Sequence, residues 1–246
     1  MSGVRQNRIR FSASIRLCAA ALLVALCTVS GCFFGTTGGS PTGQSNAELT
    51  PKPLTAEGRR MPLTLTDREV EEGGRRVLYP HICDDGMELL DMAVRGVCMD
   101  FAAENSGSTG YEVKYNNCGL LSIKLYAFDE GGAAAAVSSA TFDCDSGRQV
   151  RLSDCMGRGD TSYRFSMADT VTARVTAEGH TVLSYLPPID DSRLFYVTGG
   201  GIVLLYRMYE ICGAEAGFPE VEFAYPEIER YLGPDALLLR LPYFGG

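Results

Sequence analysis

The stretch that decides the fold is residues 111–127, which read YEVKYNNCGLLSIKLYA. Residues 116–119 have the composition of a turn. On either side of this turn, apolar residues alternate with polar ones: Tyr111, Val113 and Tyr115 before it, and Leu121, Ile123, Leu125 and Ala127 after it. Such alternation is typical of strands with one buried and one exposed face. The stretch therefore predicts a half-buried antiparallel hairpin.

The segments around this hairpin predict helices and more hairpins. A capping box from Asp85 to Glu88 precedes apolar residues at helical spacing: Met87, Leu90, Val94, Val97, Cys98 and Phe101. Further hairpins are predicted at 140–152 and 194–206, a helix at 161–177, a strand at 221–225 and a short helix at 227–232. Antiparallel hairpins packed against two or three helices define an α+β fold.

The beginning of the chain has the pattern of an export signal. Four arginines precede an apolar run at residues 17–29, which is shorter than the span of about 20 residues that a membrane helix needs. Val29-Ser30-Gly31-Cys32 resembles the lipobox of bacterial lipoproteins. That resemblance implies cleavage after residue 31 and a diacylated Cys32, although an incidental cysteine is the alternative. We therefore expect a lipid-anchored protein of the cell envelope that faces outside the cytoplasm.

The next segment predicts a tether and then one folded module. Residues 35–43 are rich in Gly, Ser and Thr and offer little apolar surface to bury. Residues 32–62 are therefore predicted to be a flexible tether, which for about 30 residues has a reach of roughly 30 Å. Residues 63–246 are predicted to form the module outside the cytoplasm, in two halves at about 63–130 and 131–240.

The charge of the chain limits its partners. Loss of residues 1–31 removes four arginines and no acidic residue, so the formal net charge changes from −8 to −12. This charge opposes binding to nucleic acid and to anionic headgroups, and it favours a cationic partner. Simple solubility is the alternative explanation.

Six cysteines remain after residue 32, and an exported protein would oxidise them. They are Cys83, Cys98, Cys118, Cys144, Cys155 and Cys212. Their spacing matches no zinc pattern, so we predict disulfides; six cysteines allow 15 pairings, and Cys144 with Cys155 is favoured because the two flank one hairpin.

The sequence contains no recognisable catalytic pattern. Neither His81 nor His180 has a nucleophile in a recognisable setting. Asp143, Asp145 and Asp154 fit three positions of a calcium loop, but position 6 is Arg148 where that loop requires glycine. We therefore expect no enzyme activity, cofactor or metal site.

Several segments together resemble a bacterial extracellular module. These are Tyr79-Pro80-His81-Ile82, the helix from Met87, residues 111–123, Gly131-Gly132-Ala133, the hairpin from Asp143 to Asp154, Phe195-Tyr196, Tyr206, Tyr209-Glu210-Ile211, Ala216-Gly217 and Pro219-Glu220-Val221. The same module occurs in the outer part of RsiV-type anti-sigma factors and in the N-terminal part of PdaC-type peptidoglycan deacetylases.

The resemblance implies a binding domain that captures a lysozyme-like muramidase with its loops. On this chain the matching loop residues are Gly131, Gly132, Ala133, Tyr209, Glu210, Glu215 and Gly217. Two alternatives stay open. The module could bind cell-wall peptidoglycan or serve as a structural envelope lipoprotein, or it could be a hydrolase with unrecognised carboxylates.

Overall fold

The structure is a computed structural model that describes residues 61–245. The predicted signal peptide, Cys32 and nearly all of the tether lie outside the described residues. Within residues 61–245, no helix is long and apolar enough to cross a membrane.

The larger sheet has six strands whose spatial order follows the chain. They are β1 (Leu65–Glu72), β2 (Arg75–Ile82), β3 (Thr109–Asn117), β4 (Leu120–Phe128), β5 (Ala134–Asp143) and β6 (Arg148–Gln149). Neighbouring strands are antiparallel except β2 and β3, which are parallel and matched at Val77 and Thr109. The α+β prediction is confirmed, and the sheet combines antiparallel hairpins with one parallel pair that the sequence did not indicate. A parallel pair needs a crossover, and helix α1 (Glu88–Glu104) supplies it.

Helix α1 packs on one face of this sheet. Its buried side chains include Leu90, Val94, Cys98 and Phe101, as the spacing predicts. The predicted capping box is wrong, because the chain turns at Gly86 (φ +79°) and the helix begins only at Glu88. The Glu88 carboxylate instead accepts a hydrogen bond from the Gly86 N–H at 3.2 Å.

The second sheet is antiparallel and has three strands: β7 (Phe195–Val197), β8 (Gly201–Leu205) and β9 (Glu220–Ala224). Three helices accompany it, α2 (Leu152–Met156), α3 (Tyr163–Ala177) and α4 (Tyr225–Ile228), with 3-10 turns at Ala214–Ala216, Glu229–Tyr231, Leu237–Arg240 and Pro242–Phe244. The hairpin predicted at 194–206 is confirmed. The strand predicted at 149–152 is wrong beyond Gln149, because Leu152 begins α2 and is fully buried there.

β4 is buried on both faces, so the prediction of a half-buried strand is wrong for it; its two faces belong to different cores. Leu121, Ile123 and Leu125 pack in the core that contains the buried face of α1, whereas Leu120 packs in the core formed by the second sheet and α2–α4. Successive strand residues point to opposite faces, so β4 separates the two cores. On its second face, Ser122 binds Thr141 and accepts a hydrogen bond from the Val197 N–H at 2.9 Å.

All six described cysteines are free thiols. The favoured pair, Cys144 with Cys155, is not formed, because Cys144 lies in the α1 core and Cys155 in the other core. Burial raises the pKa of Cys98 and of Cys144 to about 12, so both thiols are neutral and poorly reactive. The predicted disulfides are thus not seen among the described residues.

Candidate binding groove

A groove of about 300 Å³ lies beside the beginning of β5. The end of α1 contributes Phe101, Glu104 and Asn105, and the segment that joins β8 to β9 contributes Arg207, Met208 and Phe218. Residues 135–138 of β5 complete the lining. We call this surface the loop groove. Its walls come from three separate parts of the sequence, which only the fold brings together.

The residues predicted for ligand binding lie in the two loops that lead into this groove. Gly131, Gly132 and Ala133 form the turn immediately before β5. Tyr209 and Glu210 follow Met208, and Glu215 and Gly217 lie in and just after the 3-10 turn that precedes Phe218. None of these seven residues lines the groove; their chain neighbours do. An apolar Met208, two positions after the apolar run 202–206, is the sequence signal that could have located the lining.

Asp129 holds the first loop in shape. Its carboxylate accepts a hydrogen bond from the Ala133 N–H at 2.8 Å, and its own N–H donates to the Ala133 carbonyl at 2.9 Å. Gly132 closes the turn with φ +78°, a conformation that glycine adopts at no steric cost. Gly131-Gly132 therefore allows the chain to make this turn. The role of Asp129 was not predicted from the sequence.

Tyr209 is the unusual residue of the second loop. Its backbone has φ +63°, in the left-handed region that costs a non-glycine residue roughly 1–2 kcal/mol. Its side chain is 64% exposed, so little burial offsets that cost. Strain retained at an exposed aromatic side chain is characteristic of binding sites. Tyr209 is therefore the strongest candidate contact residue beside the groove.

Glu210 has a structural role that its sequence position did not indicate. Its carboxylate accepts a hydrogen bond from the Arg207 N–H at 2.8 Å and pairs with the Arg193 guanidinium at 2.6 Å. The Arg193 guanidinium lies over the buried Tyr206 ring, 4.3 Å from its centroid. Glu210 thus closes the turn that displays Tyr209. The exposed Glu215 makes no hydrogen bond or ion pair to another described residue.

An ionic network fixes the second sheet against β4, and with it the wall at Phe218. Lys124, only 7% exposed, pairs with the Glu220 carboxylate, which also accepts a hydrogen bond from the Tyr196 hydroxyl at 2.6 Å. Burial and this hydrogen bond raise the pKa of Tyr196. Because Glu220 begins β9 just after Phe218, the network holds that wall in place.

A second, polar groove of about 720 Å³ surrounds the hairpin at Asp143 and carries Arg148, Arg151 and Arg158. The Asp143 carboxylate accepts hydrogen bonds from the Ser146 hydroxyl and the Arg240 guanidinium, both at 2.7 Å. Burial by itself would raise the pKa of Asp143, but these bonds and the Arg240 charge bring it below its ordinary value. Asp143 therefore braces the hairpin. The three arginines share the polar groove with three aspartates, Asp143, Asp154 and Asp235, and Arg158 pairs with Asp235 at 3.3 Å.

Of the two histidines, His81 has a structural partner. His81 Nδ1 lies 3.0 Å from the Asp91 carboxylate, which also accepts a hydrogen bond from the Ile82 N–H at 2.8 Å, so this pair joins β2 to α1. Among residues 61–245, no three His, Cys, Asp or Glu side chains are placed to hold a metal ion together.

Comparison with known proteins gives a match in fold only. No family model and no curated protein matches the chain. A solved DUF3298 family protein from Pseudomonas aeruginosa PAO1 superposes with a TM-score of 0.54 at 16% identity, over 73% of this chain and 98% of that one. A DUF3298 family member from Bacteroides fragilis NCTC 9343 gives 0.48 at 14% identity, over 72% and 94%. The first match shows that the fold is shared.

Proposed function

We propose that this chain is a lipid-anchored lipoprotein of the cell envelope whose module captures a cationic protein outside the cytoplasm. Cys32 is the proposed attachment site of the lipid, and a lysozyme-like muramidase is the proposed ligand. The loop groove and the exposed Tyr209 beside it form the proposed contact surface. In this proposal the protein acts by binding and not by catalysis.

The observation that carries the proposal is the convergence of two loops on one groove. The turn at residues 129–133 leads into the wall formed by residues 135–138, and the segment at residues 207–218, about 75 positions away in sequence, supplies another wall of the loop groove. Loops held by a rigid sheet are where binding residues concentrate. These are also the loops that resemble the ligand-binding loops of the RsiV-type module.

Charge and fold support the same proposal from other directions. The formal charge of −12 after residue 31 favours attraction of a cationic protein at long range. The fold shared with a DUF3298 family protein agrees with the resemblance to RsiV-like and PdaC-like extracellular modules.

The test is a titration of the full-length protein in detergent with several muramidases at two salt concentrations. Association should be fast at low salt and slower at high salt, because charges beyond about 8–10 Å are screened. Tyr209→Ala should weaken binding about tenfold or more, as loss of a buried aromatic contact typically does.

Tyr243→Ala is the matched control, because Tyr243 is also exposed (49%) and packs on Tyr225, which lies beside Gly200 at the end of β8 opposite the 207–218 segment. This variant should bind like the wild type. Equal losses for the two tyrosine variants, or no binding to any muramidase at about 100 μM, would refute the proposed site or ligand.

Cell-wall peptidoglycan is the second candidate ligand, and the polar groove favours it. Arg148 and Arg151 line that groove, and guanidinium groups bind carboxylates of the kind that peptidoglycan peptides carry. Retention of the protein on isolated sacculi, with loss on Arg148→Ala and not on Tyr209→Ala, would support this alternative.

A further inference from the structure

The loop between α3 and β7 lies beside the segment that joins β8 to β9. The Leu183 N–H donates a hydrogen bond to the Ile211 carbonyl at 2.9 Å, and Val182 forms an antiparallel bridge with Cys212. None of the segments that resemble the RsiV-type module includes residues 180–189. The fold alone therefore brings this loop to the proposed contact surface.

The same loop meets that segment again a few residues later. Residues 186–188 line a small cavity of about 40 Å³ together with Tyr206. With one contact at Ile211 and the next at Tyr206, the two chains run side by side in opposite directions. Tyr185 lies between these contacts on one chain, and Tyr209 lies between them on the other. The two tyrosines are therefore neighbours.

Three apolar side chains are exposed on these adjacent chains. Leu183 is 57% exposed, Tyr185 is 80% exposed and Tyr209 is 64% exposed. Single exposed apolar residues are normal on protein surfaces and need no explanation. Exposed apolar residues that lie together instead mark surfaces that bind a partner. We call Leu183, Tyr185 and Tyr209 the aromatic patch.

Free carboxylates border the aromatic patch at the end where the loop meets Cys212. Burial raises the pKa of Cys212, and the charges of Glu215 and Glu178 raise it further, so both carboxylates lie near this thiol. No other described residue makes a hydrogen bond or an ion pair with either carboxylate. Glu210 adds no free charge, because it is paired with Arg193. Two unpaired negative charges therefore remain beside the patch.

An acidic groove of about 390 Å³ continues from this end of the patch. Its charged lining residues are Glu178, Glu220, Glu222, Glu227 and Arg174. Two of these glutamates are already paired, Glu220 with Lys124 and Glu227 with Arg174. Glu178 and Glu222 have no such partner among the described residues, so the groove retains a negative charge.

We infer that the aromatic patch is a docking surface for a cationic protein, which places an apolar or aromatic side chain on the patch and a lysine or arginine beside Glu178 and Glu215. Free carboxylates next to exposed rings are complementary to such a pair of side chains. Arg207 lines the loop groove on the other side of the patch, so the cationic side chain lies toward Cys212 and not toward that groove. The inference rests on the proposed capture of a cationic protein and extends its contact surface to the loop between α3 and β7.

The test makes use of the absence of tryptophan from this chain, because a tryptophan in a probe then reports its own binding by fluorescence. The probe is the capped tripeptide Lys-Trp-Lys, and its matched acidic form is Glu-Trp-Glu. Each is titrated to about 1 mM against the full-length protein in a zwitterionic detergent. Lys-Trp-Lys should bind, and more weakly as salt rises, because salt screens the attraction. Glu-Trp-Glu should not bind.

Substitutions of tyrosine test whether the patch is one surface. Tyr185→Ala and Tyr209→Ala should each weaken binding of Lys-Trp-Lys several-fold. Tyr243→Ala, which removes an exposed ring elsewhere, should bind like the wild type. The double variant of Tyr185 and Tyr209 should lose less affinity than the product of the two single losses, because both rings contact the same side chain of the probe.

Substitutions of glutamate test the charge complementarity. Glu178→Gln combined with Glu215→Gln should weaken binding of Lys-Trp-Lys and remove most of its salt dependence. Glu72→Gln removes an exposed carboxylate from β1 and should change neither property.

Equal binding of the two peptides, or binding of Lys-Trp-Lys to Tyr185→Ala as tightly as to the wild type, would overturn the inference. Titration with muramidases separates this failure from failure of the proposed function. A muramidase that binds the wild type and Tyr185→Ala equally, but not Tyr209→Ala, would leave capture standing and overturn the extended patch. Binding of Lys-Trp-Lys with the expected losses, while no muramidase binds, would support the patch and refute the proposed ligand.

Discussion

At Tyr209, the effect of backbone strain on stability can be measured separately from the effect of the side chain on binding. We compare two substitutions at this position, Tyr209→Gly and Tyr209→Ala. Both remove the exposed side chain, so the burial lost is nearly the same and cancels in the comparison. What differs is the backbone: alanine keeps the strain of φ +63°, and glycine does not.

The magnitude follows from two opposing terms. Relief of the left-handed conformation favours glycine by roughly 1–2 kcal/mol. The greater freedom of glycine in the unfolded chain offsets about 0.5–1 kcal/mol of that gain. Tyr209→Gly should therefore be more stable than Tyr209→Ala by roughly 0.75 kcal/mol at the middle of both ranges, with extremes of about 0 and 1.5 kcal/mol, although a glycine variant is normally the less stable of the two.

Tyr185 is the control position, because it is exposed and its φ is not positive. There Tyr185→Gly should be less stable than Tyr185→Ala by about 0.5–1 kcal/mol. The assay is urea unfolding with equal slopes for the four variants, so that midpoints report stability. Alanine favoured over glycine at both positions would refute the strain argument. Both Tyr209 variants should also lose partner binding to the same extent, because the ring is missing from each.

The remaining predictions concern the loop, the ionic network and the anchor. In urea unfolding, Glu210→Ala should destabilise the protein by about 1–2 kcal/mol, because it breaks a charge-assisted hydrogen bond and an ion pair. Glu215→Ala should stay within about 0.5 kcal/mol of the wild type, and equal effects of the two substitutions would contradict the structural role of Glu210. Lys124→Met should lower the free energy of unfolding by about 1–3 kcal/mol, less than for a fully buried pair because the Glu220 side chain is 32% exposed. Adding Glu220→Gln should recover part of this loss of stability. A double variant no more stable than Lys124→Met would contradict the proposed ion pair. Cells fed a radiolabelled fatty acid should label the wild type and not Cys32→Ser, and label on both would exclude Cys32 as the lipid site.

The parts of the fold that the sequence predicted are those with strong periodicity. In α1, the buried residues recur at helical spacing, and in the β3–β4 hairpin the alternation is nearly unbroken. The β1–β2 hairpin was not predicted, because five of the eight residues of β1 are charged. A half-buried strand would instead show apolar residues at every second position. Its signal was Gly73-Gly74, a pair typical of two-residue hairpin turns.

The beginning of β5 was missed for a different reason. Residues 134–136 are alanines, which have low strand propensity, and only pairing with β4 makes them a strand. The loop groove depends on this strand, so its lining could not be predicted either. The loops beside it were found through the resemblance. The strain at Tyr209 and the pairing of Glu210 with Arg193 depend on the folded backbone and on a residue 17 positions away.

The capture proposal is tested most directly by mapping the footprint of a bound muramidase on the full-length protein with amide hydrogen exchange. Exchange should slow in residues 129–138 and 207–218, which contain the two loops and walls of the loop groove, and should stay unchanged in residues 143–158 of the polar groove. Protection confined to residues 143–158, or a complex with no slowed exchange in either loop, would contradict the proposal that the loop groove holds the partner.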